Sequence, residues 1–139
     1  MIAAARPSQP HPDPSTQLRV LLALRAGARR DLVMQVLRAV GYAVLVAGDV
    51  IEALRRLEDG AAHLVVVEAS LPGRGLRLVR ATRWARVPVR FLLAGEDDVS
   101  DQPVRFELGH AFPYLPAPWE PLDLAQRVTQ LAEESPETR

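Results

Sequence analysis

Leu64, Val65, Val66 and Val67 run directly into Glu68, and a Pro/Gly turn, LPGRG, follows at 71–75. The carboxyl end of a buried parallel strand is where open α/β sheets bind their ligands. Glu68 is therefore the first residue to weigh for chemistry. A nucleophile–base pair, a metal cluster or a phosphate-cradling glycine loop would each need partners around it, and the other reactive side chains supply few. Glu96, Asp97, Asp98 and Asp101 are close together in sequence, but a solvated loop and helix N-terminus, where the dipole favours negative charge, explains them better than a metal rim. His11, His63 and His110 have no spacing that suits zinc. Arg25, Arg29 and Arg30 form a small basic patch that could meet phosphates, yet no aromatic residues interleave with them. Trp84 and Trp119 are either packing residues or, like Arg, interface residues.

Composition narrows the chemistry further. The 139 residues suit one domain. Seventeen basic residues balance seventeen acidic ones, so no global field draws the chain to nucleic acid or to an anionic membrane. Cysteine is absent, which excludes disulfides and thiolate chemistry. Lysine is absent too, so no ammonium is present to act as a base, to form a Schiff base or to sense a phosphate. No run approaches the roughly twenty apolar residues that span a bilayer, and a cytoplasmic protein is expected.

The elements that must position these residues alternate. Residues 1–17 carry Pro7, Pro10, Pro12 and Pro14 and read as an extended tail; 18–134 form the domain, and 135–139 a second short tail. Five apolar runs read as strands: LRVLLAL (18–24), YAVLVA (42–47), HLVVVEA (63–69), VPVRFLLA (87–94) and AFPYL (111–115). A helix after the first strand places Leu32, Val33, Val36, Leu37 and Val40 on one stripe and stops at Gly41. Asp49 caps a second, with Ile51, Leu54 and Leu57 inward and Gly60 as the stop. LRLVRATRWAR makes a third. A short fourth starts near Ser100 with Pro103 in its first turn and ends by Leu108. EPLDLAQRVTQLAEE makes the fifth, with Leu124, Val128 and Leu131 inward. This alternation predicts a parallel sheet with helices on both faces.

The wording of these segments resembles the receiver domain of two-component response regulators, over roughly residues 18–134. VLLALRAGARRDLVMQVLRAVGYAVLVAGDVIEAL is similar to that family's first strand, first helix, G-Y turn and second strand; HLVVVEASLPGRG to its third strand, phosphoacceptor and L-P-G loop; PVRFLLAG to its fourth strand; and YLPAPW to its fifth strand with a Lys-Pro-Phe ending. The resemblance implies an α/β fold, a flavodoxin-like (βα)5 doubly wound parallel sheet of strand order 2-1-3-4-5 in a single domain. It also implies which positions would hold the phosphorylation site. The family's acidic pair falls on Leu24 and Arg25, its phosphorylated aspartate on Glu68, its switch Thr or Ser on Leu93 and its lysine on Ala117. Pro118 and the switch aromatic, at Tyr114, are retained.

The expectation is thus a pseudo-receiver: a phosphorylation-independent signalling module that is no enzyme and holds no cofactor or metal. Its partner is another protein or a second copy, not nucleic acid or a membrane. The resemblance places contacts on the first helix and around Tyr114, with Trp119 and Phe106 as further candidates. Glu68 either pairs with Arg25 across adjacent strands or stands as a permanent carboxylate in place of a phosphorylated residue. The alternative is a flavin or nucleotide binder of flavodoxin-like fold.

Overall fold

A computed structural model describes residues 18–60, 62–71, 74–84, 89–95 and 112–133, with the backbone alone at 76, 83 and 84. Five parallel strands form one sheet: β1 (Arg19–Ala23), β2 (Ala43–Ala47), β3 (Leu64–Glu68), β4 (Arg90–Ala94) and β5 (Tyr114–Leu115), in the spatial order β2-β1-β3-β4-β5. Four helices accompany them among the described residues: α1 (Ala28–Val40), α2 (Val50–Glu58), α3 (Gly75–Trp84) and α4 (Pro121–Glu133). This is the expected flavodoxin-like order in a single domain. The short helix expected near 100–108, Phe106, the acidic run 96–101, His11, His110 and both tails lie outside the described residues.

The strands are apolar without interruption because both faces are covered. Val20, Leu22, Leu64, Val66 and Leu92 pack with Val33, Leu37, Leu124, Val128 and Leu131 of α1 and α4. The alternate residues Leu21, Ala23, Val65, Val67 and Leu93 pack with Val50, Ala53, Leu57, Leu78 and Val79 of α2 and α3. Local chemistry sets the helix ends. Gly41 is left-handed, its N–H reaching Arg38 O and the next N–H reaching Leu37 O, the paired bonds of a Schellman stop. Asp49 accepts from the Glu52 amide at 2.8 Å while Glu52 reaches back to the Gly48 amide at 3.0 Å.

Two helices sit at a different phase from the one their apolar residues suggest. Leu32 and Val40 of α1 face solvent, and only Val33 and Leu37 of that stripe are fully buried. In α2 the buried set is Val50, Ala53 and Leu57, leaving Ile51 exposed. The small Ala53 side chain lets α2 approach the sheet there, which turns the larger Ile51 outward.

Candidate functional site

The alternation that sends Leu64 and Val66 towards α1 and α4 sends Glu68 the same way, at the last position of β3. Ala23 of β1 pairs with Val67, so the chain just beyond β1 runs beside Glu68. Glu68 is 6% exposed, and its Oε1 accepts the main-chain N–H of Arg25 at 2.6 Å. That is a short, charge-assisted bond. The Arg25 side chain is exposed and its guanidinium reaches Ser70 Oγ at 3.5 Å. Arg25 and Glu68 are brought together as expected, but through the backbone amide of Arg25 in place of a guanidinium–carboxylate pair. Arg25 is the second residue beyond β1, where its amide is past the end of the strand ladder, and Glu68 is long enough to satisfy it.

The turn after Glu68 holds the carboxylate's backbone in place. Leu71 is buried and its N–H bonds to Glu68 O at 3.1 Å. Arg74 takes a left-handed conformation, φ 70°, and Gly75 opens α3 directly against β3. A Cβ on Gly75 would collide with Glu68 O and lie 2.9 Å from Val67 Cγ2. Only glycine allows that approach.

Around the carboxylate the remaining strand ends are aliphatic. Leu24 and Leu93 are buried and Ala94 is opposite Glu68 in register. Ala117 is half-buried, and its peptide bond to Pro118 is cis. Among the described residues no group of three His, Cys, Asp or Glu side chains is close enough to hold a metal ion. Tyr114 is half-buried, its ring against the α2/α3 core and its hydroxyl in the space a side chain on Gly95 would occupy.

Trp119 belongs to the interior. It is 3% exposed, its indole N–H donates to Gly95 O at 3.0 Å, and the Arg29 guanidinium lies 3.7 Å above its ring. Arg29 also donates to Trp119 O at 2.7 Å. The expectation that Trp119 belongs to an exposed contact face is corrected by this packing: an indole at the mouth of the sheet is covered by the cation that α1 supplies. The same stack takes Arg29 out of the expected basic patch. At the other end of β3, His63 Nδ1 accepts the Arg19 N–H at 3.0 Å. Burial, and then the charge of Arg19, hold its imidazole below the ordinary histidine range.

Ser70 and the contacts made by Gly95 escaped the sequence reading. Ser70 is one of many hydroxyls with no motif around it; a glycine immediately after a strand was the available signal for Gly95.

No protein-family model matches the chain, and no curated protein matches it. Solved structures do. A CheY-like response regulator receiver domain protein from Methanospirillum hungatei JF-1 superposes with a TM-score of 0.75 at 21% identity, covering 89% of this chain and 100% of that one. The chemotaxis response regulator CheY4 of Vibrio cholerae gives 0.72 at 21%, covering 84% and 99%. A response regulator from Thermotoga maritima gives 0.70 at 19%, covering 85% and 99%. The chain therefore has the fold of response-regulator receiver domains. No helix among the described residues is long and apolar enough to cross a membrane.

Proposed function

We infer that this chain is a receiver-type signalling module that works through protein contacts and without phosphorylation. One observation carries the reading: the Glu68 carboxylate is engaged with the Arg25 amide at 2.6 Å, and Leu24, Leu93 and Ala117 stand where the receiver resemblance puts an acid, a hydroxyl and a lysine. Magnesium in such a site needs several hard oxygens in an octahedral shell. Leu24 offers none and Arg25 carries positive charge, so the described residues do not fit the ion. Glu68 as an imitation of a phosphorylated residue is the weaker version of the reading. A carboxylate carries about one negative charge against nearly two for a phosphate group, and Leu93 and Ala117 have no donor to read it.

In this reading the protein catalyses nothing, keeps no cofactor, acts in the cytoplasm and meets another protein or a second copy, not nucleic acid or a membrane. The flavin or nucleotide alternative is not favoured by the structural neighbours, which are response-regulator domains. Incubation with acetyl phosphate and magnesium, followed by intact-mass measurement, tests the central claim. The expected mass is unchanged. Gain of one phosphoryl group, abolished in Glu68→Gln, overturns it.

A further inference from the structure

The outer face of α1 is made of Ala28, Asp31, Leu32, Gln35, Arg38 and Ala39, all exposed and spaced so that they form one continuous row. Beside it, between α1 and α4, lies a groove of about 350 Å³ whose apolar lining is Val36, Val40, Leu122 and Ala125, the rest being glutamine and threonine. No charged residue lines it. Leu32 is 50% exposed, Val40 54% and Leu122 63%, so three of the four large exposed hydrophobic residues among the described ones border this groove or the row next to it. An uncharged groove bordered by exposed Leu32, Val40 and Leu122 calls for a partner.

The charges on the neighbouring row are arranged to suit a second copy of the same helix. Asp31 and Arg38 are seven residues apart on the same face, an acid near the start of α1 and a base near its end, about 10 Å along the axis. A second α1 laid antiparallel, about a two-fold axis crossing the helix midway between them, sets each Asp31 against the other copy's Arg38. An interface of this isologous kind uses one patch twice and must be complementary to itself. The same rotation lays groove over groove and brings the exposed Leu32 of each copy towards Val36 and Val40 of the other. The geometry points to a homodimer formed through α1 and the α1–α4 groove. This deepens the protein-contact reading by naming one partner, a second copy of the chain.

Light scattering coupled to size exclusion on the full chain, over a dilution series up to roughly 1 mM, reads the association. The expected result is a two-chain mass, with the dissociation constant raised about ten-fold or more in Asp31→Arg and in Arg38→Asp, where like charges face each other across the axis. The double variant carrying both changes should return to within about three-fold of the wild type. Asp31 and Arg38 also complement the dipole of their own helix, but reversing both makes that term worse, so recovery can come only from the pairs between copies. A single-chain mass at every concentration overturns the proposal, and so does a dimer that ignores the single changes or is not restored by the double one. Either failure leaves the unphosphorylated reading standing, because that reading is judged by the mass of the phosphodonor-treated chain.

Discussion

Replacing Glu68 separates a carboxylate that holds the fold together from one kept for chemistry. In Glu68→Gln the side-chain carbonyl can still accept the Arg25 amide, and what is lost is the difference between a charge-assisted and a neutral bond, about 1 kcal/mol. In Glu68→Ala the amide loses its acceptor, and one buried methylene goes with the carboxylate. Release of a buried charge and access of water to the exposed Arg25 offset part of the loss, leaving about 2 kcal/mol. For a domain of this size that corresponds to roughly 3–5 °C in Tm for glutamine and about 6–10 °C for alanine. Urea unfolding gives the same ordering as a shift of midpoint at unchanged slope. A Tm that stays level or rises in Glu68→Ala would refute the reasoning. It would mean that the carboxylate is held against stability, as reactive groups commonly are.

Two further outcomes follow from the geometry. Gly75→Ala puts a methyl group onto the Glu68 carbonyl, a backbone atom that cannot swing aside, and should cost about 3 kcal/mol in urea unfolding, more than a glycine-to-alanine change at an open position. His63 has a lowered folded pKa, so the unfolded chain binds the proton more readily. Its contribution is complete above the ordinary value of about 6.5 and is lost as the pH falls through the folded value; Tm measured between about pH 7 and 5 should fall less steeply in His63→Asn, whose side-chain oxygen can still accept the Arg19 amide.

Strand positions and most helix ends were legible in the sequence because they rest on short-range rules, whereas the sheet order came from the family resemblance. Continuous apolar runs mark strands covered on both faces, Gly41 marks a left-handed stop, and Asp49 marks a cap that the structure forms as expected. The phase of α1 and α2 was not legible. A stripe of leucines, valines and isoleucines is wider than the line of contact, and Ala53 decides where α2 touches the sheet although it carries less hydrophobic weight than Ile51. The partner of Glu68 escaped for a different reason. Sequence patterns pair side chains with side chains, whereas the group that satisfies this carboxylate is a main-chain amide, present at nearly every position and visible only once the strand ends are in register. Trp119 was ambiguous until Arg29, ninety positions away, was found over its ring.

Those same contacts bear on how the module could respond to a signal. A receiver that switches needs strand-end loops with two arrangements and a group that favours one of them. Here the loop after β1 is tied to β3 through Arg25 and Glu68. The start of α1 is tied to the segment before α4 through Arg29 and Trp119, and Trp119 is tied in turn to the end of β4 through Gly95. Tyr114 fills the space that the missing Gly95 side chain leaves. Each tie joins the strand ends to one another, and each would have to break for a loop to take a second position. With aliphatic residues at positions 24, 93 and 117, the proposed function has no acid, hydroxyl or ammonium at those positions to compensate that loss. Under the proposed protein-contact function, the expected form of control is therefore a surface that is occupied or empty, and not a loop that moves.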